Sequence, residues 1–131
     1  MRPMARKTIH SDQAPKAIGP YSQAVQVEAG KMTFLSGQIP LDPATMEMVQ
    51  GDVTAQAERV MLNLKAVLAA AGLDFSHVVR CTIFLTDLGD FTKVNEVYGR
   101  YFTGAPPARA TVQVAALPRG SKVEIDAIAV S

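Results

Sequence analysis

The sequence predicts one α+β domain, a mixed β-sheet with two helices on one face. Three observations carry that prediction. Apolar spacing alternates between a strand-like period of two and a helical period of 3.6 in the order ββ-α-β-α-ββ. The chain has 131 residues, one domain's worth of sequence. Two of the strand segments are apolar on both sides, which requires a sheet covered on both faces.

Residues 1–20 contain Pro3, Pro15, Gly19 and Pro20 with little periodicity and read as irregular, with 1–7 a flexible N-terminal extension and Met4 an alternative start. Ala24–Glu28 and Met32–Ser36 are short strand-like runs about Ala29-Gly30-Lys31, the pattern of a hairpin. Ser36-Gly37-Gln38 and Pro40 break the second run, and a turn-rich stretch follows over 41–51. Val53, Ala57, Val60, Met61, Leu64, Val67, Leu68 and Ala71 then form one helical stripe, with Asp52 as N-cap and Gly72 as the residue past the C-cap.

Val78–Leu85, β-branched and aromatic, reads as a strand. Asp87 or Asp90 starts a second helix over 90–102, with Phe91, Val94, Val97, Tyr98, Tyr101 and Phe102 on its inner side and Gly104 and Pro106-Pro107 ending it. Arg109–Val114 and Val123–Val130 are the closing strands, so helix 90–102 forms a parallel crossover. Two helices cover one face of a five- or six-stranded sheet. Yet the last strand is apolar on both sides, through Val123, Ile125, Ala127 and Ala129 on one and Ile128 and Val130 on the other. The strand at 78–85 behaves alike, with Val78 and Phe84 behind Val79, Cys81, Ile83 and Leu85. Cover for the second face points to another copy of the chain.

Composition removes several function classes. Apolar residues at 48% and charged residues at 19% exclude a disordered chain. A net charge of +1 and 6% aromatic residues argue against a nucleic-acid partner. No apolar run approaches the ~18 residues of a membrane span, and MRPMARKTIH lacks the apolar region of a secretory signal. The single cysteine, Cys81, fits a reducing compartment, so the expectation is a cytoplasmic protein. No nucleotide loop and no paired-cysteine motif occurs, and His10 and His77 lack ligand spacing, so neither metal nor cofactor is expected.

Chemistry is left to a few residues. Arg109 follows the rigid Pro106-Pro107 pair at the mouth of a strand, and Glu124 lies in an apolar strand where a carboxylate needs a partner or a task. Ser36-Gly37, where a strand breaks, can leave backbone N–H groups free. Each also has an ordinary reading: a surface arginine, a charged residue guarding a sheet edge, a turn.

These residues sit in stretches that resemble the RidA/YjgF family of enamine/imine deaminases: IGPYSQAV (Ile18–Val25), SGQIP (Ser36–Pro40), NLKAVLAAAGL (Asn63–Leu73), DFTKVNEVYGRYF (Asp90–Phe102), PPAR (Pro106–Arg109) and VEIDAIAV (Val123–Val130). They run in order through nearly the whole chain after Lys7. The resemblance implies a chorismate-mutase-like fold, a mixed six-stranded sheet with two helices on one face, assembled as a homotrimer with active sites in the clefts between chains. It implies cofactor-free hydrolysis of 2-aminoacrylate-type enamines and their imines to 2-keto acids and ammonia. Carried over, Arg109 grips the substrate carboxylate and Glu124 activates water. Backbone N–H groups near Gly37 and Thr111 complete the cradle, Tyr21 closes the wall, and Ser36 is a further contact. Asn95 matches the family as a structural hydrogen bond from the second helix. Many members have cysteine where this chain has Thr111, which excludes a thiol role there. The competing readings are a non-catalytic small-carboxylate-binding regulator on the same fold, which would need Arg109 but not Glu124, and an RNA-directed role.

Overall fold

The computed structural model describes residues 5–28 and 30–131. Among them, six strands and two α-helices run in the order β1 (Arg6–Ile9), β2 (Ala24–Val27), β3 (Met32–Gln38), α1 (Val53–Ala70), β4 (Val78–Leu85), α2 (Phe91–Gly99), β5 (Ala108–Gln113) and β6 (Val123–Val130). Helix α1 begins where the Asp52 carboxylate accepts from the Ala55 N–H at 3.1 Å and ends where Gly72 turns left-handed at φ 75°. Its buried stripe is Val53, Ala57, Val60, Met61, Leu64 and Leu68. Val67 and Ala71, expected in that stripe, are exposed, although Leu68 in the same last turn is buried.

The stripe packs on a four-stranded mixed sheet in the order β3-β6-β4-β5, with β6 antiparallel to both neighbours and β5 parallel to β4 through the α2 crossover. Strand alternation assigns the faces. Leu35, Cys81, Ile83, Leu85, Val123, Ile125, Ala127 and Ala129 are buried against α1 and α2 in one core, each large aliphatic side chain stabilising it by about 1.5–3 kcal/mol. The other face has no helix among the described residues. There Phe34 is 69% exposed, Met32 58% and Val112 41%.

Several expectations are corrected. Residues 6–9 are not irregular: β1 pairs antiparallel with β2, so Arg6 and Lys7 belong to a strand and not to a flexible extension, whereas residues 1–4, with Met4, lie outside the described residues. This short polar strand has no apolar alternation to reveal it. It is held by its ladder and by Arg6, whose guanidinium donates to the carbonyls of Ser76, Val78 and Ala105. The hairpin is also absent, because β2 pairs with β1 and β3 with β6. Ala29, in the proposed turn, lies outside the described residues. Gly30 instead allows a close approach: a Cβ there would stand 2.4 Å from the Ser131 carbonyl oxygen, where Lys31 and Ser131 exchange backbone hydrogen bonds. The six strands therefore divide into the four-stranded sheet and a two-stranded ribbon, not one six-stranded sheet. Helix α2 stops at Gly99, and Tyr101 and Phe102 pack beyond it on Phe75.

Asp52→Ala is expected to cost about 1 kcal/mol, through an orphaned N–H at the start of α1. Urea unfolding should show a lower midpoint at unchanged slope, and an unchanged midpoint would remove the cap from the account of α1.

Candidate active site

Arg109 is registered beside Cys81, and both side chains point into the layer under α2. The guanidinium carbon lies 5.2 Å from the ring centre of Tyr98, 5.4 Å from that of Tyr21 and 5.7 Å from that of Phe91. Its Nη1 donates to Asn95 Oδ1 at 2.6 Å. Among the described residues no carboxylate pairs with it. Burial pulls its pKa below the ordinary arginine value, opposed by the neighbouring Tyr98, Tyr21 and Cys81. An always-charged group, half-buried on aromatic faces and with no carboxylate partner among the described residues, has donors that an anion can satisfy.

Local sequence explains the placement. Pro106-Pro107 leads directly into β5, and the Gly19–Ser22 segment is fastened to it: Ser22 Oγ donates to the Pro106 carbonyl and Ser22 N–H to that of Pro107 at 3.2 Å. Tyr21 is thereby held beside Arg109. On α2, Phe91, Asn95 and Tyr98 stand four and three residues apart, on one helical face. Phe91 and Tyr98 read from sequence as core residues, and Asn95 as structural; all three touch the guanidinium. An amide at helical spacing within an apolar stripe is the signal available for them. Behind the site, burial pushes the Cys81 thiol up to about 11, so it stays protonated beside the Tyr98 ring.

Strand β5 is the sheet edge, and this decides what Thr111 offers. Val114 N–H donates to the Leu85 carbonyl at 2.8 Å, so by alternation Ala110 and Val112 face β4, while the N–H groups of Arg109, Thr111 and Gln113 face the free edge. The Thr111 hydroxyl is enclosed with no hydrogen-bond partner among the described residues, leaving its backbone N–H as the group it presents.

Glu124 lies elsewhere. It pairs in register with Phe84, on the helix-free face. Its neighbour Asp126 accepts from the Thr82 N–H at 3.0 Å, whereas Glu124 has no ion-pair partner among the described residues. Its side chain rests on β3, where the register with β6 shifts between Leu35 and Gln38 and where Ser36 and Gly37 are exposed. Ser36, Gly37 and Glu124 thus form one group, and Tyr21, Arg109 and Thr111 another. Since β4 separates β5 from β6 and Glu124 is three residues further along than Arg109, their Cα atoms are about 14 Å apart, with side chains on opposite faces. No small molecule spans the two within one chain.

Among the described residues no cluster of three His, Cys, Asp or Glu side chains could hold a metal. A cleft of about 300 Å³ lined by Arg6, Phe75, Tyr101 and Phe102 contains neither Arg109 nor Glu124.

The chain and its fold are similar to those of known proteins. Residues 11–131 match the family described as Endoribonuclease L-PSP. The chain is 93% identical, over the full length of both, to protein DfrA of Myxococcus xanthus. It is 53% identical to the 2-iminobutanoate/2-iminopropanoate deaminase of Mus musculus, over 99% of this chain and 95% of that one. Its fold matches the crystal structure of Escherichia coli TdcF with bound serine at a TM-score of 0.74 and 47% identity, covering 95% and 98% of the two chains. On the match to the family, the identities over the full chain and the shared fold, this protein belongs to the endoribonuclease L-PSP family, also called RidA/YjgF.

Proposed function

We propose that the protein hydrolyses 2-imino acids and their enamine tautomers, derived from 2-aminoacrylate and 2-aminocrotonate, to 2-keto acids and ammonia without a cofactor. The observation that carries this reading is the unneutralised Arg109 guanidinium in its aromatic and amide setting. One of its five N–H donors is used by Asn95, and the others remain for a planar carboxylate. The deaminase name of the mouse relative and the serine bound to TdcF, itself an α-amino carboxylate, support the same substrate class.

In the reaction Glu124 takes a proton from water as its oxygen adds to C2 of the imine. The C=N π electrons move to nitrogen, which takes the proton back from Glu124 to give a carbinolamine. Glu124 then accepts the hydroxyl proton as the C=O forms and delivers it to the nitrogen, so that the C–N bond breaks and ammonia leaves. Arg109 holds the carboxylate throughout, with the Thr111 and Gly37 N–H groups as further donors and Tyr21 as a wall.

On this reading a second copy completes the site, since the two groups lie on opposed faces. A cyclic homotrimer packed through Phe34, Met32 and Val112 would cover the helix-free face and bring Glu124 of one chain to the Arg109 edge of the next. The cellular setting we propose is the cytoplasm.

Two experiments test this. A serine or threonine dehydratase supplies the imine, and keto-acid appearance is followed with and without the protein. Acceleration is expected, with Glu124→Gln slower by about 10²–10⁴ but still binding 2-ketobutyrate. No acceleration would leave a carboxylate-binding regulator, and a fully active Glu124→Gln would remove Glu124 from the chemistry. In the second, Arg109→Ala and Glu124→Ala chains are unfolded together and refolded. Activity absent from either alone should return in the mixture, and none at any ratio would place the site within one chain.

A further inference from the structure

We infer that Gly37 is a positioning residue for Glu124: its missing side chain is the seat in which the carboxylate rests. The inference rests on the proposed role of Glu124, but the contact itself does not. A Cβ on Gly37 would stand 2.3 Å from Glu124 Oε2, 2.8 Å from Cδ and 3.0 Å from Cγ. The whole end of the side chain therefore occupies the space a residue at 37 would use. Glycine is not demanded by the backbone here. Gly51, Gly72 and Gly120 have positive φ; Gly37 does not, so any residue could adopt its conformation.

The seat arises from the strand irregularity. Between the pairs Leu35–Ala127 and Gln38–Ile125, β3 carries Ser36 and Gly37 while β6 carries Asp126 alone, which is a β-bulge. The bulge sets the Gly37 main chain under the Glu124 carboxylate. Without an ion-pair partner among the described residues to aim it, Glu124 is aimed by shape. Any side chain at 37 would push the carboxylate off the bulge, and a base displaced by an ångström or more loses its line to the attacking water.

The test is Gly37→Ala, alone and with Glu124→Ala. With imine substrate, Gly37→Ala should lower kcat at least tenfold while KM and 2-ketobutyrate affinity, set at Arg109, stay within twofold. In the Glu124→Ala background the same change should alter the residual rate less than twofold, and Glu124→Asp, one methylene shorter, should recover part of the loss in Gly37→Ala. An equal loss in both backgrounds, or wild-type kcat in Gly37→Ala, would overturn the inference. The ¹³C resonance of the Glu124 carboxyl reads the seat without turnover. It should move in Gly37→Ala even if the wild type hydrolyses no imine, and an unmoved resonance would likewise overturn the inference. If Gly37→Ala fails to fold, the double variant should fold, because the clashing atoms are gone; failure of both would assign the glycine to the backbone instead.

Discussion

One charge organises this molecule: the Arg109 guanidinium, half-buried beneath α2 and lacking a carboxylate partner among the described residues. Taking an arginine partly out of water is unfavourable unless its surroundings compensate. Three ring faces and one amide oxygen do so in part, leaving donors to spare. The surroundings that serve this charge come from distant parts of the chain: Tyr21 on a segment fastened to Pro106 and Pro107, and Phe91, Asn95 and Tyr98 from one face of α2. The parallel crossover from β4 through α2 to β5 is what stacks that helical face over that strand.

The second constraint is the sheet itself. A strand sends alternate side chains to opposite faces, so no adjustment within one chain brings Glu124 round to Arg109. The face that holds Glu124 is also the one that leaves Phe34 and Met32 exposed. Burial of that apolar surface and completion of a two-carboxylate geometry, one carboxylate on the substrate and one on the protein, are thus linked in the assembly we propose. In that proposal a packing requirement and a chemical one share one solution.

Elements with strong internal periodicity can be read from sequence. Helix α1 runs between the caps its sequence indicates, and β4 and β6 have the expected bounds, because a two-sided apolar strand leaves little choice of register. Strand β1 could not be found this way: four residues with two basic side chains are held by backbone pairing and by Arg6 reaching carbonyls some seventy and more positions away. Gly30 signalled a turn by type but serves a long-range approach to Ser131, which only the fold brings near. At the site, the chemistry of Arg109 and Glu124 is visible in residue type and setting. Which face each occupies depends on β4 lying between β5 and β6, a matter of strand order that local sequence does not encode.

The most direct measurement is calorimetric titration of wild type and Arg109→Lys with 2-ketobutyrate, with its neutral amide as control. Lysine keeps the charge but loses the planar fork that matches two carboxylate oxygens and stacks on Tyr98 and Tyr21. The loss expected is roughly 1.5–3 kcal/mol, about one to two orders of magnitude in affinity for the acid. The amide should bind weakly to both proteins. Equal affinity of the acid for wild type and Arg109→Lys would contradict Arg109 as the carboxylate receptor.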